Sequence, residues 1–327
     1  MTAPRGGVQA NTGGPLAFVC PGQGSKRVDG VLRSLVRAGL GVDRLEKTAA
    51  LCGTSISTLM SRPSTLDKTD VLQPVLTAIS LVIADFLKAK GITPTLAFGH
   101  SAGEIAAWSI AGGISGDDAV QLSWERGKLM AREALKRPGG MVAVKTGDAS
   151  TIEECLAHGR KFGMLVLSAE NASDEVVLSG ELSAVQAVCT HFAVFATRVP
   201  TSGAWHSPLM EGALAEWERV LNAVSPKPVE CTLIANCTGE VVLDCHLWVR
   251  FLKEQLVSKV EWVRTMEAAA ERVQGVITLG PSAVLRALWH RHFADRDVRV
   301  YATEDERSLS ETARVVGDCS REMEGFV

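Results

Sequence analysis

The stretch Leu96-Ala97-Phe98-Gly99-His100-Ser101-Ala102-Gly103-Glu104-Ile105 decides the fold. Its apolar start, Thr95 to Phe98, predicts a short buried strand, and Glu104 to Ile110 predicts a helix that Gly112-Gly113 stops. Gly99, Ser101 and Gly103 stand as G-x-S-x-G at the strand-to-helix turn, the setting in which that motif has a mechanical meaning. Glycines on either side let the backbone turn sharply and lift the serine hydroxyl to the mouth of the sheet. The Ala102 amide, at a helix N-terminus, then points at any oxyanion formed there. A tight turn whose serine only caps a helix is the plainer reading of the same letters; the strand before and the helix after favour a nucleophile.

Upstream, Leu16 to Cys20 predicts another apolar strand, ending in Pro21-Gly22-Gln23-Gly24-Ser25. Two glycines so soon after a strand suit a backbone that approaches something closely. Leu45 to Met60 is weakly periodic and predicts helical pieces. Asp70 caps a helix in which Val75, Leu76, Ile79, Val82, Ile83, Phe86 and Leu87 share one broad face, and Gly91 stops it. Asp117 to Leu135 predicts the next helix, with Arg126 in its middle; the common fate of such an arginine is exposure.

Between Pro138 and Pro200 the pattern changes. Met141 to Lys145, Met164 to Ser168, Glu175 to Ser179 and Val194 to Val199 predict strands, with helices over Ser150 to Gly159 and Leu182 to Phe192. That order, βαββαβ, is the ferredoxin-like unit, here read as a small domain inserted into a larger one. Asn171 falls between its central strands, an ordinary place for a turn asparagine. Beyond it, strands at Thr232 to Asn236 and Val273 to Leu279 alternate with helices at Leu209 to Val224, Leu247 to Val257 and Ser282 to Phe293. Asp297 to Tyr301 predicts an edge strand. Alternation of this kind implies an α/β fold with a mostly parallel sheet covered on both faces. The expected division is a flexible tail over 1–14, a discontinuous larger domain over 15–137 and 201–303, the inserted subdomain over 138–200, and a polar C-terminal tail over 304–327.

The 327 residues suffice for a large α/β domain with an insertion, and 46% hydrophobic with 22% charged residues is an ordinary globular balance. A net charge of −3 implies no global attraction to nucleic acid or to an anionic membrane, and no apolar run approaches a membrane span. Eight cysteines are scattered without a C-x-x-C pair, which argues against a metal site or a disulfide framework and for reduced thiols in a cytoplasmic protein.

A serine nucleophile needs a base, and histidine is the usual one at neutral pH. Of seven histidines, His100 adjoins the serine but points away from it on a sharp turn. His158, His191, His246, His290 and His292 sit in helical or charged surroundings. His206 follows the small-residue loop Gly203-Ala204 at the point of return from the insertion, a place suited to a catalytic residue. Spacing alone leaves open that it merely packs beside Trp205.

Pro21-Gly22-Gln23-Gly24-Ser25, Gly99-His100-Ser101-Ala102-Gly103-Glu104, Glu125-Arg126-Gly127 and Gly203-Ala204-Trp205-His206-Ser207 occur in the order and approximate spacing of one family. Over nearly the whole chain, Leu16 to Tyr301, the sequence resembles the malonyl-CoA:acyl carrier protein transacylases, the acyltransferases of fatty acid and polyketide synthesis. Asn171-Ala172, Ala235-Asn236-Cys237-Thr238-Gly239, Glu254-Gln255-Leu256 and Gly280-Pro281 are similar to further landmarks of that family. The resemblance implies an α/β-hydrolase-like core with an inserted ferredoxin-like subdomain. It implies an acyl-serine at Ser101, with His206 as base, oriented by a backbone carbonyl near Gln255 rather than by a carboxylate. It also implies an oxyanion hole from the amides of Gln23 and Ala102, Arg126 as clamp for the free carboxylate of a malonyl group, and Asn171 and Trp205 among the residues around the substrate.

No cofactor would be bound; a coenzyme A thioester would be the donor and the phosphopantetheine of an acyl carrier protein the acceptor, on a monomeric enzyme. Arg286, His290 and Arg291, with help from Arg160 and Lys161, are the candidate basic patch for an acidic carrier. Three positions depart from the family pattern: Lys26 stands for a second glutamine, Trp205 for a phenylalanine, and Lys259 interrupts a proline-valine step. A carrier-to-carrier acyltransferase, a proofreading acyl hydrolase and a catalytically silent docking partner are the alternatives. Intact Ser101 and His206 speak against silence, and Arg126 speaks for a carboxylated acyl group, because a guanidinium is costly to bury unpaired.

Overall fold

Apolar runs too short for helices and bounded by glycines pair as strands buried on both faces, and here they build the centre of the molecule. The computed structural model describes residues 14–242, 244–294 and 298–324. The chain runs β1 (Leu16–Cys20), α1 (Val28–Arg37), α2 (Val42–Leu51), α3 (Ile56–Ser61), α4 (Thr69–Ala89), β2 (Leu96–Gly99), α5 (Gly103–Ile110) and α6 (Gly116–Lys136). It continues β3 (Gly139–Val144), α7 (Ala149–Arg160), β4 (Leu165–Ala172), β5 (Glu175–Glu181), α8 (Leu182–His191) and β6 (Ala196–Val199). The remainder is α9 (Leu214–Asn222), β7 (Thr232–Ala235), β8 (Glu240–Val241), α10 (Trp248–Gln255), α11 (Trp262–Ala270), β9 (Gly275–Thr278), α12 (Ala283–His292), β10 (Arg299–Ala302) and α13 (Glu306–Glu324).

The first sheet has the order β10-β9-β1-β2-β7-β8, parallel but for the β7–β8 hairpin. β1 and β2 pair in register from Ala17 with Leu96 to Cys20 with Gly99, so both strands end at the same rim. Helices cover the sheet because every residue of β1, β2 and β9 is buried and apolar faces must be met on both sides. The second sheet is antiparallel, order β4-β5-β3-β6, with α7 and α8 over one face: the ferredoxin-like arrangement expected of this stretch. Val142, Val144, Leu178 and Val185 form its own core, while Met141, Ala169 and Val177 on the other face join the main core. A parallel bridge from Ala169 to Val260, and the bond from Val260 N to Ser168 O at 2.9 Å, stitch β4 to the loop before α11. There Lys259 pairs with Glu170 at 2.9 Å, so the residue that departs from the family pattern fastens the two sheets together.

Three expectations need correction. α4 is long and apolar enough to cross a membrane by length and composition, contrary to the sequence reading, but 83% of its most apolar window is buried inside this fold. It also carries Pro74 in its second turn; the missing N–H frees the Asp70 carbonyl, which lies 3.8 Å from Cys52 Sγ. The polar C-terminal tail is in fact the helix α13, whose Leu309, Thr312 and Val316 are buried. α1 and α11 fall where no element was expected. The N-terminal tail up to residue 13, and Asp297 at the start of the expected edge strand, lie outside the described residues.

Candidate active site

The turn from β2 into α5 holds Ser101 in the left-handed region, φ 53°. Backbone approach forces glycine on both sides: a Cβ on Gly99 would sit 2.2 Å from the carbonyl carbon of Gly103, and one on Gly103 would sit 2.3 Å from the Cys20 carbonyl oxygen. Two side chains from distant elements hold the turn. Asn236, after β7, accepts from Ser101 N through Oδ1 at 2.6 Å and donates to Gly99 O through Nδ2 at 2.5 Å. Gln255, the last residue of α10, donates to Ser101 O at 3.0 Å.

His206 also has a positive φ, 56°, which turns its ring toward the serine. Ser101 Oγ lies 2.7 Å from His206 Nε2, and His206 Nδ1 lies 2.7 Å from the Gln255 carbonyl oxygen. A carbonyl can only accept, so Nδ1 carries the proton and Nε2 presents its lone pair to the serine hydroxyl. Burial, and then the positive charge of Arg126, push the imidazole down to about 3, leaving it neutral and free to take a proton.

Arg126 is not exposed, as an arginine in mid-helix usually is; only 1% of its surface meets solvent. Its guanidinium donates to Gln73 Oε1 at 2.7 Å and to Gln255 Oε1 at 2.8 Å, with the second nitrogen 3.4 Å from Ser101 Oγ. Nε has no partner. Burial lowers its pKa to about 10, against the pull of Glu104, so it remains a cation at neutral pH. Gln73 in turn donates to Gln23 Oε1 at 3.1 Å and to Thr69 Oγ1 at 2.8 Å, tying the loop after β1 to the guanidinium. Sequence reasoning missed Gln73. Its one signal was a polar amide among Leu72, Pro74 and Val75 on an otherwise apolar helix.

Ser101, His206, Gln255 and Arg126 thus converge, with Gln23 joined to Arg126 through Gln73 and Ala102 beside the serine at the start of α5. Other candidates lie elsewhere in the network or outside it. Asn171 Oδ1 accepts from His100 Nε2 at 3.1 Å, and its amide nitrogen donates to Glu175 Oε1 at 3.2 Å, so it braces the turn from behind. The ring of Trp205 folds over Gly203, where an added Cβ would lie 2.4 Å from it. Arg286 pairs with Glu304 at 3.1 Å, and Arg291 pairs with Glu175 at 3.0 Å and Asp174 at 3.4 Å, while His290 is exposed. Arg160 donates to the Leu165 carbonyl, and Lys161 and Lys26 are exposed. Among the described residues no group of three or more His, Cys, Asp or Glu side chains could hold a metal ion.

Comparison with known proteins places the chain in a family. The sequence model of the acyl transferase domain matches residues 17–327. The malonyl CoA-acyl carrier protein transacylase of Mycolicibacterium smegmatis is 30% identical over 268 residues, 79% of this chain and 91% of that protein. The polyketide synthases GfsB and GfsA of Streptomyces halstedii are 34% and 36% identical over 83% and 68% of this chain, which spans only 5% and 3% of their length. The crystal structure of the malonyl CoA-acyl carrier protein transacylase from Clostridium perfringens superposes with a TM-score of 0.83 at 25% identity, covering 95% of this chain and 99% of that one. The corresponding enzyme of Coxiella burnetii gives 0.84 at 25% identity over 94% and 99%. The chain belongs to the acyl transferase domain family.

Proposed function

We propose that this protein moves a malonyl group from coenzyme A to the phosphopantetheine thiol of an acyl carrier protein through an ester on Ser101. The observation that carries the acyl choice is Arg126, a buried cation 3.4 Å from the serine oxygen, where the free carboxylate of a short dicarboxylic acyl group would lie. His206 Nε2 takes the Ser101 proton as Oγ attacks the thioester carbonyl, and the amides of Gln23 and Ala102 meet the oxyanion, each such donor being worth about 3 kcal/mol. The imidazolium returns the proton to the departing coenzyme A sulfur. The second half runs in reverse order: the carrier thiol gives its proton to His206 and attacks the ester. The Gln255 carbonyl does the orienting work that a carboxylate does in Ser-His-Asp sites. The ester itself stores the acyl group, so no bound cofactor enters the scheme. A monomeric, cytosolic enzyme with an inserted unit over 138–200 between the two parts of its core accompanies this reading.

Intact-mass measurement after incubation with malonyl-, methylmalonyl- and acetyl-CoA tests it. A malonyl mass should appear on the wild type and vanish in Ser101→Ala, while His206→Ala slows its appearance by orders of magnitude. A mass that persists in Ser101→Ala places the nucleophile elsewhere. Equal rates with malonyl- and acetyl-CoA refute the carboxylate clamp and favour a carrier-to-carrier transferase. Rapid loss of the ester to water without a carrier favours a hydrolase.

A further inference from the structure

Arg126 is a buried charge, and the negative charge that faces it is Glu104. Glu104 stands in the first turn of α5, 1% exposed. Its Oε2 accepts a short hydrogen bond from Gln255 Nε2 and a longer one, 3.4 Å, from Asn236 N, while Oε1 meets no partner. Gln255 Oε1 accepts from Arg126 at 2.8 Å. One buried amide therefore joins a carboxylate to a guanidinium, and the carbonyl of the same residue orients His206. The acyl-transfer steps use Arg126, His206 and the Gln255 carbonyl but give Glu104 no role.

In the resting site one anion balances one cation. A carboxylated acyl group brings a second anion to the same guanidinium, and two carboxylates sharing one buried cation cannot both stay ionised cheaply. We propose that Glu104 is the resting counter-ion of Arg126, and that it takes up a proton from solvent when the acyl carboxylate settles on Arg126, so that charge balance passes from protein to substrate. Glu104 is then a positioning residue that acts through Gln255. The proposal rests on the malonyl reading above. Oε1 is the oxygen free to receive the proton, since Oε2 keeps its two donors in either state.

The surroundings make Glu104 the group that responds. Burial pushes its carboxyl up to about 7, against the hydrogen bonds of Gln255 and Asn236 and the charge of Arg126. The other groups facing it stay in one form near neutrality. Arg126 from α6 is a cation, while His206 from its loop, pushed down to about 3, is neutral. Burial also lowers His100, from the turn before α5, below its usual value. Cys20 of β1 is pushed up by burial, and Cys237 after β7 up to about 12. Glu254 of α10 lies toward solvent, paired with Arg250, and Lys88 of α4 reaches the far end of α5 at the Ile110 carbonyl.

A proton count during one turnover tests this. The serine proton leaves with coenzyme A as its thiol, so acylation itself is proton-neutral at about pH 7.5, where the released thiol stays mostly protonated. In weak buffer with an indicator dye, wild-type enzyme should take up about half a proton or more per malonyl ester at that pH, the esters being counted by intact mass. Glu104→Gln should form the ester without uptake. It should also flatten the fall in kcat/KM for malonyl-CoA expected of the wild type as pH rises from about 7 to 8, a change that a purely structural residue would not produce. Glu104→Asp, which keeps a carboxyl, should retain the uptake. Full malonyl ester with no uptake in the wild type overturns the proposal, and so does uptake that survives in Glu104→Gln; the wild-type count decides it where a variant fails to fold. No ester at all from malonyl-CoA overturns the malonyl reading instead.

Discussion

Two residues at the site carry perturbed protonation of opposite consequence. His206 is held neutral by burial, its pKa lowered from 6.5 to about 3. Acylation should therefore lose no rate as pH drops through 6.5; first-turnover rates measured down to about pH 5 check this, and a loss centred on 6.5 would mean that the imidazole meets water in the free enzyme. The same shift bears on stability. Between about 3 and 6.5 the unfolded chain binds a proton that folded His206 refuses, so stability falls as pH drops through that window. Glu104 works the other way. Between 4.5 and about 7 the folded protein keeps a proton that the unfolded chain has lost, so its contribution falls as pH rises there. Thermal denaturation against pH should show His206→Ala flattening the acid side and Glu104→Gln flattening the neutral side. Trp205, as a proposed neighbour of the acyl group, would act through bulk. Its ring lies over Gly203 beside His206, and Trp205→Phe vacates part of that space. The ratio of kcat/KM for malonyl- over methylmalonyl-CoA should drop by about tenfold, the scale of one methyl group in a fitted pocket; an unchanged ratio would remove Trp205 from acyl selection.

At the scale of elements, the β2–α5 turn is an unforgiving join. Gly103→Ala puts a methyl group 2.3 Å from the backbone oxygen of Cys20, which cannot swing aside as a side chain can. A loss of about 2 kcal/mol or more, with loss of acylation, is expected in urea denaturation and intact-mass assays; Gly24→Ala, whose Cβ meets nothing, should cost about 1 kcal/mol or less. This turn was legible from sequence because strand, glycines, serine and helix are contiguous. The βαββαβ unit and α4 were legible for the same reason, the first by local period between Pro138 and Pro200 and the second by an apolar face and the Gly91 stop. α1 was not: it begins at a left-handed Arg27 with no side-chain cap and carries Gly30 in its body. α13 hides its role because Leu309, Thr312 and Val316 form a narrow buried stripe in an otherwise charged helix. The site divides along the same line. Ser101 could be picked out from local pattern; spacing left His206 open until the family resemblance gave it a role, and Gln255 rests on that resemblance alone. Gln73, and the carboxyl of Glu104 as partner of Arg126, depend on α4, α5, α6 and α10 meeting, which no local window contains.

At the scale of the molecule, the small sheet is tied to the large one along β4 and β5, by the Lys259–Glu170 pair and by Arg291 reaching Glu175 and Asp174. This changes what the basic face of α12 can offer an acidic carrier. Arg286 and Arg291 already neutralise acids of their own fold, which leaves the exposed His290 as the member of the three without such a pair among the described residues. Reversing Arg291 alone would set a new carboxylate against Asp174 and Glu175 and loosen the β4–β5 hairpin, so a raised KM for carrier could not be assigned to docking. Arg286 allows a cleaner experiment, because its partner, Glu304, can be exchanged with it. Arg286→Glu alone should lower thermal stability slightly, by about 1 kcal/mol or less for a pair of this exposure, and Arg286→Glu with Glu304→Arg should restore it. If the cation at position 286 meets the carrier, the exchanged pair still shows a raised carrier KM with a weaker dependence on salt, since the charge has moved off the helix face. First-turnover acylation from malonyl-CoA needs no carrier and reports the chemistry separately. A carrier KM that returns to the wild-type value in the exchanged pair means that Arg286 serves only to hold Glu304, two residues before α13, and that the carrier docks on another face.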